Sequence, residues 1–366
     1  MTTSPRQILL RAARTAGLFS GMRSRHRHEL LVLTYHSVVE GVRDERRRYP
    51  LVYRNAVSAA HFERQMRYLR RHYSILDGDE LRTALADGTF PDRAAVVTFD
   101  DGLLNNATVA LPILQRLGVP ALFFLPTGFL DAASEGTLRR HWTEDLIARL
   151  SHRRTDEAFD ARALQAHLPG LDIALNALSP AAIRAVVEHL KTLPSRERRD
   201  RVSALTEALG APPPAATFPA DADGHSVLAT MTWAQARRAA HQGITLGGHT
   251  VNHESLARLP DPDAAAEITG SLRAISENTG QAADFFSYPY GQPRDFTAAH
   301  QAVLADAGCR GAFTQVVGFN DASSNPLALR RIDVSPDYSL DMFAYVASGT
   351  KKAVDRVVRG RSPASA

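Results

Sequence analysis

A single cysteine, Cys309, stands in the 366 residues, so no intramolecular disulfide can form and a small disulfide-stapled scaffold is excluded. Nowhere is there a run of the roughly 18 apolar residues that a membrane-spanning helix requires. Near the N-terminus the longest apolar stretch, Ile8 to Leu10, is cut at once by Arg11, short of the about 7 to 15 uninterrupted residues of a secretory h-region. The expected compartment is therefore cytoplasmic. Charge of either sign is scarcely in excess: 43 Lys and Arg against 39 Asp and Glu leave +4, which calls for no nucleic-acid partner. That excess sits at the two ends, with Arg6, Arg11, Arg14, Arg23 and Arg25 in front and Lys351, Lys352, Arg356, Arg359 and Arg361 behind. Two readings of these ends stay open, a solvated tail or contact with an anionic membrane surface. Internal repeats and low-complexity tracts are also absent. What is present is 44% hydrophobic and 22% charged residues, the balance of a soluble globular enzyme of one large domain or two smaller ones.

Short apolar runs alternate with helix-period segments, the pattern of strand–helix repeats around a mainly parallel sheet. Strands are expected at Leu30–Tyr35, Ala94–Phe99, Pro120–Leu125, Ile244–Gly247, Phe285–Tyr288 and Gly311–Val317. Helices are expected at Ala59–His72, Ala107–Leu117, Thr232–Gln242, Pro262–Thr279 and Phe296–Ala307, with Ser58 and Asp261 as N-caps. The rhythm breaks between Asp131 and Thr230, a helical, Ala/Arg-rich stretch that ends near Gly210 and the Pro212–Pro214 cluster. It reads as an insertion, either a lid over a substrate site or a surface elaboration. The chain thus divides into a basic extension (1–28), a catalytic domain (29–350) interrupted by the insertion (131–230), and a basic tail (351–366).

The sharpest local signal is Val96-Val97-Thr98-Phe99-Asp100-Asp101-Gly102, where an apolar strand ends in two carboxylates and a glycine. Strand ends are where parallel α/β enzymes keep their reactive groups, although Asp-Asp-Gly alone is also an ordinary turn. His249 and His253 are four apart, the spacing that puts two imidazoles on one side of a helical turn and suits a shared divalent metal. Fourteen histidines give roughly half such a pair by chance, so position carries the argument: Gly247-Gly248-His249 closes another apolar strand. Two histidines and one carboxylate leave positions open for water and substrate. Phe286-Ser287-Tyr288-Pro289-Tyr290-Gly291 ends a further strand in a turn able to present a backbone N–H, and Thr34-Tyr35-His36-Ser37-Val38 puts His36 just past the first core strand. Trp142, Glu144 and Asp145 can line a sugar subsite or simply belong to a packed helix, and Cys309 reads as a small core residue.

Taken in this order, the segments Thr98–Gly102, His249–His253 and Tyr288–Gly291 resemble the polysaccharide deacetylase family, the NodB-homology or carbohydrate esterase family 4 group, from about Leu30 to Val334 without the insertion. The Tyr35-His36 motif is similar to that of the poly-N-acetylglucosamine deacetylase branch. The resemblance implies an α/β fold, an irregular or incomplete (β/α) barrel with a metal site at the strand C-termini. It makes Asp100 the general base, Asp101, His249 and His253 the metal ligands, and the Tyr290 N–H an oxyanion donor. The family arginine expected at the position of Ser287 is missing, as is the late Leu-x-His motif. His36 then becomes the candidate acid, and Arg331 a candidate for steadying Asp100.

The implied activity is metal-dependent removal of an N-acetyl group from an amino sugar in a polysaccharide or glycolipid precursor. The metal would be zinc, with cobalt, nickel, iron or manganese tolerated by the same ligands. A divalent ion lowers the pKa of bound water and polarises the acyl oxygen, while a neighbouring carboxylate takes the proton. Alternatives are an O-acetyl esterase, a deformylase, or an inactive glycan-binding member. Subunit number is not legible.

Overall fold

A computed structural model describes residues 5–154, 161–171 and 178–350 of the chain. The expected tail at 351–366 lies outside these, as do the first four residues of the extension.

Seven strands form the barrel: β1 (Leu31–Tyr35), β2 (Ala94–Phe99), β3 (Ala121–Leu125), β4 (Ile244–Gly248), β5 (Phe285–Ser287), β6 (Gly311–Val317) and β7 (Leu329–Asp333). All neighbours are parallel, and pairing of β7 with β1 and of β1 with β2 closes the ring, with Leu31 opposite Ala95 and Tyr35 opposite Phe99. A two-residue strand, Ser74–Ile75, pairs with the start of β2. The barrel is irregular where β7 shifts register on β6 between Leu329 and Arg331.

Most of the strands read as continuous apolar runs because both their faces are covered. Leu31, Leu33, Tyr35, Ala95, Val97, Phe99, Phe123 and Leu125 pack against the outer helices. These include α3 (Ala59–His72), α4 (Leu111–Leu117), α8 (Trp233–His241) and α11 (Leu340–Ala347). The alternate residues Val32, Val96, Leu122, Phe124, Phe285, Phe313 and Leu329 pack with one another inside the barrel. Leu76, Leu81 and Ala84 join this inner cluster from the Ile75 strand and the Gly78–Asp87 helix that follows it.

The helices of the expected insertion, α5 (Trp142–Arg153), α6 (Pro180–Thr192) and α7 (Ser195–Leu209), share a separate core with residues from Val39 to Ala56. The segment is therefore tied to the barrel's first loop as well as to its own ends. At the front of the chain, α1 (Pro5–Thr15) and α2 (Leu18–Arg25) are packed against the barrel layer: Phe19 is buried in the outer core and Arg23 donates to the Tyr68 hydroxyl at 2.8 Å.

Four of the departures from the expected element boundaries have a visible local form. The expected helix Ala107–Leu117 begins as a wider π turn over Asn106–Ala110. In α9 (Asp261–Thr279) the N-cap is Pro260, and Asp261 is the first helical residue, its charge facing the helix N-terminus rather than capping it. The helix expected from Phe296 is α10 (Ala298–Asp306), delayed because Thr297 forms a capping box with His300. Finally β5 stops at Ser287, since Tyr288 turns aside to stack on Phe296 with ring centroids 4.1 Å apart.

Candidate active site

The alternation that fills the barrel also builds the site. Extending the inward series of each strand beyond its last apolar residue reaches His36 on β1, Thr98 and Asp100 on β2, His249 on β4, Ser287 on β5, Gln315 on β6, and Arg331 and Asp333 on β7. The inward position before His249 is Gly247, where an added Cβ would lie 2.6 Å from the Phe124 ring and 2.8 Å from the Phe285 carbonyl oxygen. Only glycine lets β4 approach its neighbours this closely.

Asp100 is buried, and Arg331, itself 0% exposed, clamps it with two bonds, Nη1 to Oδ1 at 2.8 Å and Nη2 to Oδ2 at 2.7 Å. The remaining Arg331 donors reach the Thr314 carbonyl, Thr98 Oγ1 and Ser287 Oγ. Ser287 in turn donates to Asp100 Oδ2 at 3.3 Å. Burial pushes the Asp100 carboxyl up, but Arg331 and His249 outweigh it and hold it below the usual carboxylate range. A planar fork bound to both oxygens fixes the carboxylate's orientation as well as its charge.

Asp101 has φ +73°, a left-handed conformation that turns its side chain away from the alternation and toward the histidines. Its Oδ1 lies 3.1 Å from His253 Nε2 and 3.5 Å from His249 Nε2. The three residues offer one oxygen and two nitrogens within 4.8 Å of one another. Burial raises the Asp101 carboxyl, and the two imidazoles beside it bring it well below its ordinary value.

The two histidines do not share a helical turn. Thr250 (φ +60°) and His253 (φ +56°) are left-handed, and the loop between them spends its donors elsewhere. Glu267 of α9 accepts from the Val251 and Asn252 N–H groups at 2.8 and 2.7 Å, which prevents them from bonding back along a helix. The Thr127 and Gly128 N–H groups bond the Thr250 and Val251 carbonyls. Asp101, Thr250, His253 and Tyr290 are four of the six non-glycine residues with positive φ among the described residues, so backbone strain is concentrated at this site.

The donor set fits a divalent metal ion. His249 Nδ1 is 2.7 Å from the Ser287 carbonyl, which assigns the proton there and frees Nε2 for an ion. Two imidazole nitrogens and one carboxylate oxygen suit zinc and the other borderline divalent cations. His253 Nδ1 is buried without a hydrogen-bond partner, so its tautomer is left free.

His36 lines a cavity of 410 Å³ together with Asp100, Asp101 and His253, and its Nδ1 lies 3.8 Å from Asp333 Oδ1. Tyr290, with φ +60°, lines the same cavity. Nothing among the described residues accepts from its N–H. From the helical segment, Glu144 and Lys191 reach this cavity. Glu144 forms a fork-to-fork ion pair with Arg54, and Lys191 Nζ sits 5.4 Å from the Tyr290 ring centre. Asp145 points away to Arg149 at 2.7 Å. The Trp142 indole donates to the Tyr290 hydroxyl at 3.1 Å, and the Arg198 guanidinium stands 5.5 Å from its ring centre.

The polysaccharide deacetylase family profile matches residues 87–154 and 204–312. The chain belongs to that family. The 155–203 gap in the match falls on the helical segment carrying α6 and most of α7, and residues 1–86 and 313–366, with His36 and Arg331, also lie outside the match. Solved structures with the same fold include the Streptococcus pyogenes deacetylase PplD, 16% identical with a TM-score of 0.56, covering 88% of this chain and 99% of that one. IcaB from Ammonifex degensii is 20% identical with a TM-score of 0.53, covering 88% of this chain and 97% of its own. A de-N-acetylase from Aggregatibacter actinomycetemcomitans is 16% identical with a TM-score of 0.52, covering 86% and 98%. No curated protein sequence matches this chain. Among the described residues, no helix is long and apolar enough to cross a membrane.

In this family member the buried arginine beside Asp100 comes from β7, not from the β5 position held by Ser287. The serine hydroxyl bonds both charged groups, accepting from Arg331 Nη2 at 2.9 Å and donating to Asp100 Oδ2 at 3.3 Å. His141 was invisible in the sequence because it follows no strand and sits in the irregular stretch before α5. Its ring stands 4.2 Å from that of His253, with Nε2 3.3 Å from the Tyr290 hydroxyl. Burial, with His253 beside it, pushes its imidazole well below the usual histidine range, so it enters the site as a neutral ring.

Proposed function

We propose that this family member is a metal-dependent N-deacetylase acting on an N-acetylated amino sugar within a polysaccharide or glycolipid. The observation that carries this reading is the pairing of a buried, arginine-clamped carboxylate with an adjacent Asp-His-His donor set at one end of the barrel. Asp101, His249 and His253 would hold the ion. When bound, a divalent cation there lowers the pKa of a water and polarises the acyl carbonyl.

Asp100 accepts the proton of the attacking water. Arg331 and Ser287 keep its oxygens oriented, and the depressed pKa keeps it ionised and ready at neutral pH. Oxygen adds to the acetyl carbon, and the free N–H of Tyr290 is the donor for the resulting oxyanion. The carbon–nitrogen bond then breaks, giving acetate and the free amine. An amine is a poor leaving group without a proton, and His36, held toward Asp333, supplies it. Such an acid is what amide cleavage requires, whereas an ester oxygen leaves with less help. The Glu144, Arg54 and Lys191 side chains around the cavity supply polar partners for sugar hydroxyls.

Acetate release by the metal-loaded protein, compared between N-acetylated glucosamine oligosaccharides and O-acetylated sugars, tests the reading. The N-acetylated set should be preferred and chelation should abolish turnover. Preference for O-acetyl substrates would assign the esterase alternative, and activity that survives chelation would remove the metal from the account.

A further inference from the structure

Away from the barrel mouth, the front of the chain presents an apolar face outward. Among the described residues five large hydrophobic side chains are exposed, and three of them, Ile8 (58%), Leu9 (70%) and Leu18 (63%), lie within eleven residues. Ile8, Leu9 and Ala12 of α1, with Ala16 just past its end and still bonded to the Ala12 carbonyl, fall within an arc of about 100° at 100° per residue. All four are exposed. The opposite side of the same helix is fixed to the protein: Leu10 and Ala13 pack on the outer core, and Arg14 bonds Asp341 of α11 at 2.5 Å. The exposed stripe is therefore held in place by a docked helix.

Both ends of the sequence are predominantly basic. Residues 1–28 carry six arginines and no Asp or Glu, and residues 351–366 carry five Lys or Arg against one Asp, so a chain of overall charge +4 has a body of charge −6 between basic ends. Arg11, Arg25 and Arg27 are exposed with no carboxylate partner among the described residues. The two ends also converge: α1 packs on α11, and Gly349, just past α11, lies against His26, the C-cap of α2. The last described residues thus lie beside the C-terminal end of α2.

We propose that the outward face of α1 and the start of α2, with the basic residues around it, docks the protein on an anionic lipid bilayer. An exposed apolar stripe with the exposed Arg11, Arg25 and Arg27 in the same two helices and the turn that follows them matches the acyl boundary and the phosphate layer of such a surface. The active site is not involved, and the inference stands independently of the deacetylase reading.

Co-sedimentation of the full-length protein with vesicles containing phosphatidylglycerol, against pure phosphatidylcholine vesicles, tests it. Binding should require the anionic lipid and fall away near 1 M salt, where the screening length shrinks to about 3 Å. Each basic side chain at an anionic surface is worth roughly five-fold in partitioning, so Arg11→Ser with Arg25→Ser should weaken binding by about 25-fold. Ile8→Ser with Leu9→Ser should weaken it at least about tenfold without moving the melting temperature, because both side chains are already in water. Equal binding to neutral vesicles, no binding to anionic ones, or unchanged binding by the Ile8/Leu9 variant would overturn the proposal. So would a self-associated species in sedimentation velocity that the Ile8/Leu9 variant dissolves, which would assign the face to a second copy of the chain.

Discussion

Replacing Arg331 by methionine keeps the volume of the side chain inside the barrel but withdraws the fork from Asp100. Five bonds are lost, to Thr314, Thr98, Ser287 and both Asp100 oxygens. The carboxylate left behind is 2% exposed, and an unpaired buried charge of this kind costs about 3 to 5 kcal/mol. With about 2.1 cal/mol/K of unfolding entropy per residue over 366 residues, that loss lowers the melting temperature by roughly 4 to 7 °C. The pH dependence has a defined sign. In the parent, the folded pKa of Asp100 lies below its unfolded value, so the stability it contributes is present above about pH 4 and is lost as pH falls through the folded value. In Arg331→Met, burial is left without its main opponent and the folded pKa rises above the unfolded one. The variant should then regain stability relative to the parent as the pH is lowered from 7 toward about 4. Calorimetry over that range, with Asp100→Asn and the double variant alongside, measures all of this. The double variant should recover most of the loss, because no charge remains buried. A single variant that costs under about 1 kcal/mol, or a double whose loss is the sum of the singles, would refute the coupling argued here.

Three further outcomes follow from the geometry. His36→Ala should keep metal and fold but slow amide hydrolysis by about 10² or more, while an activated ester with a good leaving group loses much less; equal losses on both substrates would give His36 a binding role. Glu267→Ala removes the acceptor for the Val251 and Asn252 N–H groups, and should weaken metal binding by about 10- to 100-fold in a competition titration while leaving the barrel's melting behaviour close to that of the parent. Gly247→Ala forces a Cβ against Phe124 and the Phe285 carbonyl and should lower stability by about 1 to 3 kcal/mol; an unchanged denaturation midpoint would mean the barrel wall yields more easily than its packing implies.

Most of the barrel strands were legible because they are buried on both faces and read as short apolar runs, as in Ala94–Phe99, whereas β7 carries Arg330, Arg331 and Asp333 and is no such run. What the runs did not reveal was their phase. Had the inward alternation been extended past each apolar end, Gln315 and Asp333 would have emerged from the same rule that places Asp100 and Arg331. The spacing of His249 and His253 indicated proximity, but its helical rationale fails because Glu267, distant in sequence, takes the loop's donors. Likewise Arg54 and His141 sit in irregular segments with no periodicity, and only tertiary packing of the helical segment against the first barrel loop brings them to the cavity. The short Ser74–Ile75 strand and the Gly78–Asp87 helix were also missed, although Asp77 with Glu80 is a legible capping box.

The central claim is that Asp100 takes a proton from water beside an ion held by Asp101, His249 and His253. Its most direct test is Asp100→Asn, assayed for bound metal and for acetate release from an N-acetylglucosamine oligosaccharide in the same preparation. The amide is nearly isosteric but cannot accept that proton, so metal content should match the parent while the rate falls by about 10² to 10⁴. An Asn variant that carries metal and turns over at near the parent rate would contradict the account.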